Sequence, residues 1–167
     1  MSFSVKQHVR NAKIIAIPKP GKDTSLVTSY RPISLLSLTL KVFERIVLNR
    51  INPFVDSTLD ISQAGFRKGR STQEQVLALT THIENGFQRK EKTGAIFLDL
   101  TSAYDTIWHE GLLTKISSKL PKWAVQVIST LLHNRHFRVH IGDQCGSWRK
   151  QKNGLPQGSV LAPVLFN

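Results

Sequence analysis

One stretch constrains this chain more than any other: Ala95-Ile96-Phe97-Leu98-Asp99-Leu100-Thr101-Ser102-Ala103-Tyr104-Asp105, an apolar run that drives straight into an aspartate. Read as a strand, it alternates, with Ala95, Phe97 and Asp99 on one face and Ile96, Leu98 and Leu100 on the other. A carboxylate at the end of so apolar a strand is costly to bury unless something positive holds it. A hard divalent cation such as Mg²⁺ suits that role, because it prefers carboxylate oxygen. Tyr104 falls where the chain turns back, close enough in sequence to wall the same cavity. The plainer alternative is a strand-ending aspartate that only caps a following helix.

A second feature lies about fifty residues on, at Asn153-Gly154-Leu155-Pro156-Gln157-Gly158-Ser159. Two glycines and a proline around one glutamine predict a turn whose backbone can approach a ligand closely. Ser159 then opens the apolar run from Val160 to Phe166, which reads as the start of a buried helix. A glycine-proline-glycine loop of this kind is common. Its order after the aspartate strand and several basic segments is not.

Charge narrows the partners. Twenty-three Lys and Arg against eleven Asp and Glu give +12 over 167 residues. Such an excess favours a polyanion, and without a basic amphipathic helix of the membrane-surface kind, nucleic acid is preferred. The longest apolar runs fall far short of a membrane span. Met1 to His8 lacks the apolar core of a secretory signal. The single cysteine, Cys145, excludes an internal disulfide framework, and together these features imply an intracellular protein. The six histidines show no zinc-ligand spacing beyond the weak pair His136 and His140, for which a surface or RNA-facing role is the simpler reading.

Periodicity predicts an α+β chain. Asn11 to Ile17 reads as a strand ended by Pro18-Lys19-Pro20-Gly21, and Tyr30 to Leu36 as a second extended segment. Ser37 can cap a helix that presents Leu40, Phe43, Val47 and Ile51 and is stopped by Pro53. Ser71 and Glu74 form a capping box for a helix whose stripe of Val76, Leu79, Ile83 and Phe87 should be buried. Leu112, Leu113, Ile116 and Leu120 mark another helix, and Pro121 can start one with Ala124, Val127, Ile128 and Leu131 inward. Phe137 to Ile141 alternates as a strand, with a hairpin turn at Gly142-Asp143.

At this level of detail the chain resembles the reverse transcriptases of non-LTR retrotransposons, the jockey-like and long interspersed elements. The resemblance runs from about Ala12 to Asn167. It rests on Ile17-Pro18-Lys19-Pro20-Gly21-Lys22-Asp23, Tyr30-Arg31-Pro32-Ile33-Ser34-Leu35-Leu36 and Gln63-Ala64-Gly65-Phe66-Arg67-Lys68-Gly69-Arg70-Ser71-Thr72, followed by the Asp99 stretch and the Gln157 loop. Val9 departs from the tryptophan usual in relatives. The resemblance implies a right-hand polymerase fold, with residues of about 1–93 as fingers and about 94–167 as an incomplete palm.

It also implies roles. Asp99 corresponds to the family's first metal-binding aspartate, with the Leu100 carbonyl completing that ligand set. Tyr104 corresponds to the ring that blocks a ribose 2′-hydroxyl, against the alternative of an ordinary core tyrosine. Asp105 reads as a structural, helix-starting aspartate. Lys19 and Arg31 correspond to the basic pair that clamps the triphosphate, work suited to phosphoryl transfer by positioning and charge neutralisation. Gln157 and Gly158 correspond to the loop at the templating base pair. Gln63, Arg67, Lys68 and Arg70 lie where backbone contacts to a template strand fit, although a solvated loop explains Lys68 equally well.

The partners implied are an RNA template, a DNA primer and deoxynucleoside triphosphates, with Mg²⁺ as cofactor. Relatives carry a further aromatic-Ala-Asp-Asp hairpin beyond this block, and no Asp-Asp pair occurs here. Two-metal transfer needs carboxylates that hold both ions. The chain therefore reads as a fragment of an RNA-directed DNA polymerase, inactive on its own. A catalytically dead RNA-binding remnant is the alternative. An RNA-directed RNA polymerase fits less well, because it needs a polar group where this chain has Tyr104.

Overall fold

A computed structural model describes residues 7–167. The reading of the extreme N-terminus as no secretory signal falls largely on residues 1–6, outside those described. The chain divides into two compact units: residues 7–58 with Ser102–Phe166, and Leu59–Thr101 with Asn167.

The first unit is built on a five-stranded sheet. After a short helix, α1 (Gln7–Arg10), the isoleucine-rich β1 (Ala12–Pro18) pairs antiparallel with β2 (Tyr30–Leu35). The loop between them closes where Lys19 N donates to Ser29 O at 2.7 Å. On its other side β1 runs parallel to β3 (His136–Ile141), which also pairs with β4 (Gln144–Cys145) and β5 (Arg149–Lys150). Ile14 lies opposite Ser34 and Val139, so alternation puts Ala12, Ile14, Ala16, Pro32, Ser34 and Phe137 on one face. Lys13, Arg31, Ile33 and Arg138 share the other.

The core lies under α2 (Leu38–Asp56) and α5 (Lys122–Leu132), joined by α4 (His109–Ser117) and α6 (Ala162–Phe166). Leu40, Val47 and Ile51 of α2 meet Ala124, Ile128 and Leu131 of α5, residues spaced to share a helix face. The buried seam of α2 includes Glu44, and Phe43 packs against the core while staying only half-buried. One expectation for α2 needs correction. Pro53 does not end it: the helix runs on for three residues to Asp56, and Val55 still packs on the core.

The second unit holds α3 (Thr72–Gln88). Its capping box forms as expected, with Glu74 N donating to Ser71 Oγ at 3.2 Å and Ser71 N to Glu74 Oε2 at 3.3 Å. The buried stripe does not form. Val76 and Phe87 are exposed by 60% and 71%, and Gly86 is the helix's one fully buried residue. The Asp99 strand is also absent: residues 91–100 are irregular, and Ile96 and Leu98 are about 90% exposed. The reason is physical. No described segment pairs with this stretch, and an isolated strand has no ladder to satisfy its backbone or surface to bury its side chains.

Candidate functional site

The Gln157 loop is held by backbone bonds at both ends. Gln151 N donates to Arg135 O, Gly154 N to Ile107 O and Leu155 N to Tyr104 O, at 2.9, 2.8 and 2.7 Å. The His109 Nε2–H adds a bond to Gly154 O at 2.8 Å. Farther along, Ser34 N donates to Gln157 O at 2.8 Å, which stitches the loop to the outer edge of β2. Two glycines make this possible. Gly154 and Gly158 have φ of +85° and +120°, and a Cβ would stand 2.8 Å from Asp105 O in one case and 2.7 Å from Ser34 O in the other. Leu155 is fully buried, so the loop is anchored as core while Gln157 stays half-exposed.

Asp105 does not start a helix: residues 101–106 form turns, and α4 begins at His109. The bonds from Gly154 N and Leu155 N bring the turn and the loop together, and the Gln157 side chain and the Asp105 carboxylate face the same cavity. Partial burial raises that carboxyl above its ordinary range, and the nearby Gln157 amide opposes the rise. Asp105 and Gln157 line a cavity of about 300 Å³ together with Ile14, Pro32, Ser34 and Phe137. Tyr104 is half-buried, its ring stacked on Phe166 with centroids 5.2 Å apart. Burial pushes its hydroxyl pKa up.

Behind the loop lies a buried polar cluster. Glu44, 2% exposed, accepts from Ser159 Oγ at 2.9 Å and Val160 N at 2.7 Å. Burial raises its pKa, against those bonds and the charge of Arg135. Arg135, 1% exposed, donates to Leu131 O and Gln151 Oε1, each at 3.3 Å, and burial lowers its pKa to about 10.

The basic pair stands apart from this cavity. Arg31 is exposed and alternates onto the sheet face opposite Pro32 and Ser34. Lys19 is half-buried, and its Nζ donates to Thr28 O at 2.8 Å, closing its own loop.

The remaining candidates belong to the second unit. Gln63 Nε2 donates to Asn167 Oδ1 at 3.2 Å, and Asn167 Nδ2 to Gly65 O at 2.8 Å. The guanidinium of Arg67 donates to Asp60 O and Gln63 O, so it braces the loop. Lys68 and Arg70 are exposed, beside an exposed Phe66 at φ +56°. Asp99 is exposed on the irregular segment. Among the described residues no three His, Cys, Asp or Glu side chains gather to hold a metal. Asp99 and the Leu100 carbonyl are too small a donor set for a two-ion centre.

Sequence reading missed Asp105 as a neighbour of Gln157 in the cavity, and Glu44. A visible signal existed for the second: Glu44 stands four residues after Leu40 and three before Val47, inside an apolar seam.

A sheet with helices beneath it and a glycine-flanked glutamine loop stitched to its edge make up the first unit's site. Residues 17–167 match the family described as reverse transcriptase (RNA-dependent DNA polymerase), and the chain belongs to that family. It is 42% identical over 158 residues to a probable RNA-directed DNA polymerase from transposon BS of Drosophila melanogaster. That alignment covers 93% of this chain and 17% of the relative. Identity is also 42%, with the same two coverages, to the RNA-directed DNA polymerase from mobile element jockey of Drosophila funebris. A solved structure of apo telomerase from Candida tropicalis superposes with a TM-score of 0.60 at 17% identity, over 97% of this chain and 39% of that one. The fold is thus α+β of the reverse-transcriptase type, and the curated relatives that the chain resembles are polymerases of a transposon and a mobile element. The chain spans about 17% of the length of these curated relatives. No described helix is long and apolar enough to cross a membrane.

Proposed function

We propose that this chain supplies the fingers (about 1–93) and the first part of the palm (about 94–167) of an RNA-directed DNA polymerase that extends a DNA primer on an RNA template with deoxynucleoside triphosphates. The observation that carries this reading is the Gln157 loop, tied to β2 through Ser34 and to the turn at residues 104–107 through Gly154 and Leu155. A glutamine held this way presents a polar group at a fixed height beside a cavity, as contact with a templating base pair requires. Tyr104, its ring plane set by Phe166, bounds the sugar position and disfavours a 2′-hydroxyl. Lys19 and Arg31 attract the triphosphate, and Lys68 and Arg70 the template backbone.

Mg²⁺ is the cofactor of this reading, with Asp99 and the Leu100 carbonyl contributing to its site. The donors in this chain do not by themselves make a two-metal centre, so the intact reaction draws further carboxylates from elsewhere in the polymerase. An intracellular location follows from a retrotransposon origin.

The test is a chimaera in which these residues replace the matching segment of the jockey polymerase. Template-dependent primer extension is expected from the chimaera, and none from the 167-residue chain alone. A folded chimaera without extension would overturn the reading. Tyr104→Ala in the active chimaera should raise ribonucleotide incorporation while Tyr104→Phe changes it little; equal discrimination by Tyr104→Ala and the unsubstituted chimaera would make Tyr104 a core residue. The alternative, an RNA-binding remnant, draws on the charge of +12.

A further inference from the structure

The cluster of Glu44, Arg135 and Ser159 does work that the functional reading leaves unassigned. We infer that Glu44 is a positioning residue: it clamps the Ser159-Val160 end of the Gln157 loop to α2 and so sets the height of Gln157 above the cavity. The inference rests on the proposed polymerase function for its consequence, and on the geometry for the clamp itself.

Glu44 uses both carboxylate oxygens on two consecutive residues, Oε1 taking the Ser159 hydroxyl at 2.9 Å and Oε2 the Val160 amide at 2.7 Å. Ser159 Oγ in turn accepts from Leu161 N and Ala162 N, both at 3.2 Å, so one hydroxyl links the carboxylate to the first amides of the next helical turn. Gln157 sits two residues before this clamp and is tied on its other side by the bond from Ser34 N. The loop is therefore fixed at both ends, once to the sheet and once to α2.

A buried glutamate is costly unless a countercharge and hydrogen bonds offset it. The charge of Arg135, itself buried, acts on Glu44 in that sense without a direct ion pair, and Arg135 reaches the start of the loop through Gln151 Oε1 at 3.3 Å. The Arg135 carbonyl also accepts from Gln151 N at 2.9 Å. Arg135 thus holds the start of residues 151–160 and Glu44 the end. The space among Glu44, Arg135 and Ser159 is about 10 Å³, room for no more than a water molecule. It is too small to hold a substrate, which leaves positioning as the cluster's role.

The experiment uses the jockey chimaera with Glu44→Gln, Glu44→Met and Ser159→Ala, measured by amide hydrogen exchange and by steady-state kinetics. Ser159→Ala deletes one hydroxyl and should leave the fold intact where Glu44→Met does not. Expected is exchange about tenfold faster in residues 157–162, the scale of one or two lost hydrogen bonds, with α5 unchanged. The KM for deoxynucleotide should rise about ten- to a hundredfold, with kcat moving much less, because a displaced Gln157 loosens substrate placement. Glu44→Gln keeps one acceptor oxygen and the side chain's length, so it should recover part of the KM that Glu44→Met loses. Exchange in 157–162 that is unchanged in Ser159→Ala and Glu44→Gln would overturn the clamp. So would a uniform rise across all segments, which marks an ordinary core residue. If the unsubstituted chimaera extends no primer, the polymerase reading fails, and the exchange data alone still decide the clamp.

Discussion

The two units handle apolar surface in opposite ways. In the first, α2 and α5 bury Leu40, Ile51, Ala124 and Ile128 almost completely, and even a charged pair is enclosed among them. In the second, α3 keeps a well-made capping box yet exposes Val76, Leu77 and Phe87, and residues 96–100 expose four large apolar side chains. Local signals suffice to start a helix. Only a facing surface makes its apolar stripe a core. The first unit supplies that surface from elements far apart in sequence, and the described residues of the second do not.

The largest expected effect that would test this contrast comes from truncating side chains in both units. Ile51→Ala in the first should cost about 2–5 kcal/mol, whereas Val76→Ala in the second should stay within about 0.5 kcal/mol. Chemical denaturation of the two variants checks this. A large loss for Val76→Ala would show that α3 is packed in solution and erase the distinction.

Gly158→Ala probes the seam between loop and sheet. A Cβ there meets the Ser34 carbonyl at 2.7 Å in a backbone conformation that disfavours side chains, so the cost should exceed about 1 kcal/mol. Gly69→Ala has the strain, at φ +75°, without the neighbour, and should cost less. Equal losses measured by thermal unfolding would mean that the close approach to β2 contributes nothing.

Grip on RNA should follow the second unit's exposed cations. Replacing Arg67, Lys68 and Arg70 with Ala should flatten the log–log salt dependence of single-stranded RNA binding by about 1.4 to 2, since each phosphate contact contributes roughly 0.7. The lower figure applies if Arg67 only braces its loop, as its bonds to Asp60 and Gln63 suggest. Lys115, Lys119 and Lys122 serve as the control triple. Identical slopes for the two triples would reduce the loop to general charge.

The smallest effect is on pH dependence. Glu44 has a raised pKa in the folded state, so between the ordinary glutamate range and that raised value the folded chain binds more protons than the unfolded one. Stability therefore falls as pH rises through that window, and Asp105, also raised, acts in the same direction. Glu44→Gln should flatten this slope and Asp105→Asn should flatten it less, in unfolding free energies measured from acid to neutral pH. An unchanged slope in Glu44→Gln would mean that Arg135 and the two hydrogen bonds compensate fully.

Much was legible in the sequence, and for identifiable reasons. Asn11 to Ile17, Tyr30 to Leu36 and the alternating Phe137 to Ile141 read as extended and match β1, β2 and β3 to within a residue at each end; Ser71 and Glu74 marked a helix start, and Pro121 another. These features depend on residues within a few positions of each other. The blocks from Ile17 to Ser159 were likewise enough to place the chain in its family. Three things were decided only in three dimensions. The Gln157 side chain shares a cavity with Asp105, fifty-two positions away in the chain, and its backbone carbonyl accepts from Ser34 N, still more distant. Glu44 is buried because Arg135 and the Ser159 loop close over it, which periodicity alone reads as a place for an apolar residue. The Asp99 stretch has strand composition throughout and forms no strand, because a strand is a relation between two segments and composition describes only one of them.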